Sequence, residues 1–222
     1  MKGKLIVIEG LDGSGKTTQM NLLCESLAAE GKEPVKIKLP DYESPSSSLV
    51  RMYLGGEFGS NPGAVNAYAA SSFYAVDRVA NYINKWSGAY LSGKLILADR
   101  YTTSNAYHQT LKLEKNQWDS YLEWLEDYEY NKLGIPRPDG VIYLDMPIEI
   151  SQKLMTARYG GDEVKKDIHE ANVAYLKKCR EAAAYAADKL GWQIVSCAQG
   201  DSALPIETIA EVVYKKVSAC LA

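Results

Sequence analysis

The sequence predicts an α/β fold, a five-stranded parallel sheet flanked by helices with a lid segment over one end. Three observations lead there. Short apolar runs alternate with helical patterns, which calls for parallel strands joined by right-handed crossovers. The first run, Leu5-Ile6-Val7-Ile8, leads directly into Gly10-Leu11-Asp12-Gly13-Ser14-Gly15-Lys16-Thr17, which fits the phosphate-loop pattern G-x-x-x-x-G-K-[ST], and an amphipathic stretch follows. Finally, 222 residues suffice for one sizeable core, so a single domain over 1–222 is expected. Strand, phosphate loop and helix in that order make this a P-loop NTPase-type three-layer fold.

Taken in order, Leu5 to Ile8 is continuous enough to be a strand buried on both faces. Lys16 to Ala29 places Met20, Leu23 and Leu27 at helical spacing, and Gly31 stops that helix. Val35-Lys36-Ile37-Lys38-Leu39 alternates up to Pro40, a second strand with one more exposed face. Asp41 to Ser48 is a loop at that strand's carboxyl end, the edge where open α/β sheets bind ligands. A short helix is expected over Leu49 to Leu54 and a long one from about Val65 to Lys85. Lys94 to Arg100 is the third strand, and Asp119 to Asn131 an acidic, aromatic helix expected mainly to pack. Gly140 to Asp145 is the fourth strand, Ile148 to Thr156 a helix, Gln193 to Cys197 the fifth strand, and Pro205 to Leu221 the closing helix. Tyr159-Gly160-Gly161 breaks the helical pattern and begins a charged stretch, so about 157–170 is expected to be a mobile lid.

Hydrophobic residues at 46% and charged residues at 24% describe an ordinary globular chain. A net charge of −3 gives no reason to expect nucleic-acid or membrane-surface partners, so any anion site must be a local cluster. Cys24, Cys179, Cys197 and Cys220 have no metal or redox spacing and point to a reducing compartment. The four apolar residues after Lys4 are too few for a signal peptide, and no apolar run approaches the length of a membrane span, so a cytoplasmic location is expected.

The chemistry starts in the loop. Its glycines let the backbone N–H groups of Gly10 to Thr18 converge on nucleotide phosphates at a helix N-terminus, Lys16 reaches the β and γ phosphates, and the Thr17 hydroxyl ligates Mg²⁺. Asp99, at the end of the third strand, is placed to hold Mg²⁺ or its water shell, while Arg100 beside it clamps a second anion. Arg51 and Arg78, with Arg100, form a candidate triad for one phosphate dianion. Tyr74, four residues before Arg78, lies on the same helix face and offers an aromatic surface to a base. His108 and His169 read as ordinary polar residues. Three arginines around one subsite argue against a deoxynucleoside kinase, with its unphosphorylated acceptor, and the absence of a guanine-reading motif weighs against a regulator that hydrolyses its nucleotide; both stay as alternatives to a monophosphate kinase.

At these residues the sequence resembles the thymidylate kinase family, over nearly its whole length. The landmarks are Glu9 to Gln19, Ser44-Pro45 to Arg51, Phe73 to Arg78, Asp99-Arg100-Tyr101 with Ser104, Leu144-Asp145, and Asp167-Ile168-His169-Glu170. The resemblance implies an ATP-dependent, Mg²⁺-requiring kinase that phosphorylates dTMP to dTDP in dTTP synthesis, working as a homodimer. It places Asp12 on the acceptor 3′-hydroxyl, the aromatic at Phe73 or Tyr74 on thymine, and Arg78 on base edge and phosphate. Arg51 and Arg100 then bind the acceptor phosphate, and Ser104, Asn105 and Gln109 line the pocket and help read the base. Two departures matter. Gly13 stands where one branch of the family has an arginine, so a lid cation, Arg158, Lys165 or Lys166, is expected to cover the γ-phosphate, with Arg158 grouped with Lys16, Arg100 and Asp12 as catalytic; and Ile168 replaces a lid arginine usual in the other branch.

Overall fold

The first and fourth strands form where continuous apolar runs meet a glycine or a polar stop, and the second where an alternating segment runs up to Leu39-Pro40. The computed structural model describes residues 2–59, 61–158 and 173–221. Strand β1, Leu5–Gly10, is buried throughout and passes through the phosphate loop into helix α1, Lys16–Ala29. Strand β2, Val35–Lys38, keeps two lysines exposed, as its alternation requires. Helices α2, Ser48–Leu54, and α3, Ala67–Asn81, follow, and α3 widens into a π-helical turn, Tyr82–Trp86, before α4, Ser87–Leu91. After β3, Ile96–Asp99, come α5, Asn105–His108, and α6, Trp118–Glu126, which runs into a second π-helical segment, Asp127–Lys132. Strand β4, Gly140–Asp145, leads to α7, Ile148–Arg158. Beyond lie α8, Val173–Leu190, and β5, Gln193–Ser196, then a small antiparallel ribbon of β6, Ala198–Gln199, and β7, Ser202–Ala203, and finally α9, Ile206–Leu221.

The five main strands are parallel in the order β2-β3-β1-β4-β5. From β1 at the centre the chain passes to the edge strand β2, returns to β3 and then crosses to β4 and β5, so the switch point where a crevice opens lies at the carboxyl ends of β1 and β3. Registration of Ile8 with Asp99 sets the phosphate loop beside the end of β3. Period-two alternation sends Leu5, Val7, Ile96, Ala98 and Tyr143 to one core and Ile6, Ile8, Leu97, Ile142 and Leu144 to the other. The first core is closed by Trp86, Tyr107, Tyr121 and the alanine stripe of α8, the second by Met20, Leu23 and Leu27 of α1 with Ile209, Val213 and Val217 of α9.

The five strands agree with expectation within two residues at each end, β1 running on to Gly10 and β3 starting only at Ile96, and the expected flanking helices agree within about a turn. Helix α8 is not anticipated above, nor is the β6–β7 ribbon. The acidic segment expected mainly to pack divides into α6 and a π-helical turn that delivers a buried carboxylate, Glu129. Apart from 157 and 158, which fall in α7, the expected lid at about 157–170 lies outside the described residues, as do Lys165, Lys166 and His169.

Candidate active site

The phosphate loop keeps its curl because Gly13 and Gly15 take left-handed backbone angles, φ 77° and 89°. Gly15 caps α1 and supplies no side-chain oxygen to the first-turn N–H groups, and no acidic residue sits in that turn, so the amides and the helix dipole are available to an anion. Gly13 has a second reason to be glycine. A Cβ there would lie 2.7 Å from the Ser151 carbonyl oxygen and 2.9 Å from Met155 Cγ, both on α7. Gly13→Ala is therefore expected to cost about 1–3 kcal/mol of stability through backbone strain and the clash, read as a fall in Tm.

Lys16 is buried, and its Nζ donates to the carbonyls of Gly10 (3.0 Å) and Leu11 (3.1 Å) and lies 3.7 Å from Asp12. Burial and the neighbouring Arg100 lower its pKa, opposed by Asp12, Asp99 and Glu9. The Thr17 hydroxyl donates to Asp99 Oδ2 at 3.3 Å, so the two expected Mg²⁺ ligands are neighbours.

Arg100 follows β3 in a left-handed conformation, φ 68°, which is uncommon for a side-chain-bearing residue and needs the surrounding structure to hold it. Its Nη2 pairs with Asp12, and its Nη1 donates to the Tyr107 hydroxyl (3.0 Å) and Ser104 Oγ (3.3 Å). Burial pushes the Asp12 carboxyl up, but Arg100 and Lys16 outweigh it and hold the group well below the usual carboxylate range. Ionised Asp12 thus contributes stability that is present above its unfolded value of about 4 and lost only as pH falls through the depressed folded one.

Behind Arg100 lies Glu9, fully buried at the end of β1. Its Oε1 accepts from Thr103 Oγ1 (2.7 Å), Ser104 Oγ (2.9 Å) and the Tyr101 amide (3.2 Å), and its Oε2 from Tyr107 (2.7 Å) and Ser104 (3.0 Å). Neither Glu9 nor Tyr107 is among the expected site residues. The signal available for Glu9 was a charged residue closing an otherwise apolar buried strand.

The three arginines do not converge through their side-chain contacts. Arg51 is exposed and its Nη1 donates to the Tyr42 carbonyl (2.7 Å), the Ser44 carbonyl (3.1 Å) and Ser47 Oγ (2.6 Å), tying down the loop after β2. Asp77 secures the same loop from α3, accepting from the Asp41 amide (2.9 Å) and Ser46 Oγ (2.6 Å). Arg78 is 3% exposed and grips Glu129 with two nitrogens, Nε at 2.9 Å to Oε2 and Nη2 to Oε1. Burial works against its charge, but Glu129 more than compensates and raises its pKa. Two of its nitrogens thus meet a carboxylate 51 residues away, while Nη1 faces the Tyr101 carbonyl at 3.4 Å, and Arg78 braces the pocket from inside.

Phe73 and Tyr74 are both half-buried, and both meet Tyr53 of α2 edge-on, with centroids 6.5 and 6.4 Å apart. Asn105 turns Nδ2 toward the Ser71 carbonyl (3.4 Å) and Glu129 (3.5 Å). Gln109 is fully buried, and among the described residues neither end of its amide has a hydrogen-bond partner. His108 is buried against Tyr175, 6.2 Å away with rings near parallel, and its Nδ1 is 3.5 Å from Cys179 Sγ. Arg158 ends α7; its side chain lies outside what is described.

A sequence profile described as thymidylate kinase matches residues 8–204. The curated thymidylate kinase of Mycobacterium tuberculosis strain H37Rv is 30% identical over 71% of this chain and 73% of its own. The probable thymidylate kinase of Thermococcus onnurineus is 35% identical over 79% of this chain and 80% of its own. Among solved structures, the thymidylate kinase of Candida albicans superposes with a TM-score of 0.70, covering 98% of this chain and 92% of that one at 21% identity, which is a likeness of fold.

Proposed function

The chain belongs to the thymidylate kinase family, ATP-dependent phosphotransferases that phosphorylate dTMP to dTDP, and we propose that Gly10 to Thr18 hold the donor while Asp12, Arg51, Arg100 and the wall of Phe73, Tyr74, Ser104, Asn105 and Gln109 hold the acceptor. One observation carries this division: the Asp12–Arg100 pair joins the donor loop to the end of β3, so the two subsites share a border.

An acceptor monophosphate has a second pKa of about 6 and is already an anionic nucleophile at neutral pH, so no general base is needed. What remains is to align two polyanions and cancel their repulsion. The Lys16 ammonium does this on the donor side and Arg100 on the acceptor side. The Thr17 hydroxyl beside the Asp99 carboxylate is a hard-oxygen pair that suits Mg²⁺, and the buried Ser14 Oγ, without a hydrogen-bond partner among the described residues, adds a polar lining to the loop. When bound, Mg²⁺ neutralises charge developing on the β and γ phosphates. Arg158, with Lys165 and Lys166, is the proposed cover for the γ-phosphate in place of the arginine that α7 excludes from position 13.

We also propose a homodimer through α3 and the turn after it, supported by Val76 and Ile83, which are 52% and 63% exposed. The four cysteines are free, in keeping with a cytoplasmic setting, and among the described residues no helix is long and apolar enough to cross a membrane.

An ADP-release assay with dTMP, dUMP, dCMP and thymidine tests the acceptor assignment: turnover of thymidine equal to that of dTMP overturns it. Arg100→Ala is expected to raise the KM for dTMP roughly 10- to 100-fold, the loss of a charge-assisted contact, with the KM for ATP little changed.

A further inference from the structure

We infer that Tyr107 is a positioning residue for the acceptor clamp: its phenol, strung between the buried Glu9 carboxylate and the Arg100 guanidinium, sets where Arg100 points. The inference rests on the reading that Arg100 binds the acceptor phosphate. The direction of both hydrogen bonds follows from their ends. A carboxylate only accepts and a guanidinium only donates, so the hydroxyl gives its proton to Glu9 Oε2 (2.7 Å) and takes one from Arg100 Nη1 (3.0 Å). The same oxygen lies 3.3 Å from the Gly10 carbonyl, so the strand reaches the first residue of the phosphate loop.

The hydroxyl has little freedom to be elsewhere. Tyr107 is fully buried, and its ring is walled by His108, Tyr143 and Trp192 at centroid distances of 4.6, 5.9 and 6.4 Å. Ser104, which also donates to Glu9, meets the same Nη1 at 3.3 Å. Arg100 is therefore fixed at its backbone by a left-handed turn and at its head by Asp12 on one side and the Glu9 assembly on the other. A long cationic side chain held this way loses less conformational freedom when an anion arrives.

Tyr107→Phe removes one oxygen and keeps the ring. It is expected to weaken dTMP binding and raise the KM for dTMP about three- to tenfold, with the KM for ATP within about twofold and thymidine binding unchanged, because thymidine lacks the phosphate that Arg100 holds. Equal weakening of thymidine and dTMP marks a merely structural role and overturns the inference, as does unchanged dTMP affinity. Arg100→Ala separates the two levels: if it leaves dTMP binding intact, the clamp reading itself fails; if it weakens dTMP selectively while Tyr107→Phe does nothing, only the role of Tyr107 fails. In Arg100→Ala/Tyr107→Phe the second change should add no further loss. Should Tyr107→Phe fold poorly, Glu9→Gln, which removes the charge that orients the phenol, must show the same selective loss of dTMP over thymidine, and an equal loss of both overturns the inference.

Discussion

Replacing Lys16 by Met is expected to lower kcat about 10²- to 10³-fold, the scale set by removing one preorganised group that stabilises transition-state charge. The ammonium sits over the phosphate loop on two carbonyl oxygens, and the charge around it includes Asp12 at 3.7 Å. Met keeps most of the volume of a buried side chain, so packing is retained while the cation is lost. Single-turnover phosphoryl transfer with Tm measured alongside decides the matter. A kcat within tenfold of the parent in folded protein removes Lys16 from the catalytic role.

The other large effect is at Glu9. Glu9→Ala is expected to cost roughly 3–5 kcal/mol of stability, because the Thr103 and Tyr107 hydroxyls and the Tyr101 amide lose their acceptor in a buried site at once. For a chain of 222 residues that is a fall in Tm of about 6–20 °C. Chemical denaturation should show a lower midpoint with the slope little changed, since the surface exposed on unfolding is nearly the same. A loss below about 1 kcal/mol would mean that water takes the place of the carboxylate.

The elements that were legible in the sequence are those whose signal is local. Leu5 to Ile8 and Gly140 to Asp145 are continuous apolar runs, and the phosphate loop is eight consecutive residues whose geometry follows from its glycines. Thr17 in the first turn of α1 and Asp99 at the end of β3 come from elements that meet at the same sheet edge, and they lie 3.3 Å apart. Helix α8 was not read, although Tyr175, Leu176, Cys179, Ala182, Ala183, Ala186 and Ala187 form a helical stripe; alanine carries little hydrophobic contrast against its charged neighbours. The pairing of Arg78 with Glu129 was out of reach. Spacing on α3 shows that Arg78 shares a face with Tyr74, but which carboxylate meets that face depends on how a π-helical turn after α6 packs.

The sequence by itself determined the sheet, the phosphate loop and the family, because contiguous residues encode backbone conformation through sterics and hydrophobic period. Only the tertiary structure decided how charges are shared out. It paired Arg78 with Glu129, and it made α7 the reason for glycine at position 13. It also hung Arg100 on Glu9 through Tyr107. Ion pairs and buried hydrogen bonds join groups many tens of residues apart, and a buried charge takes whichever partner the packing brings within about 3 Å, a choice that linear spacing does not contain.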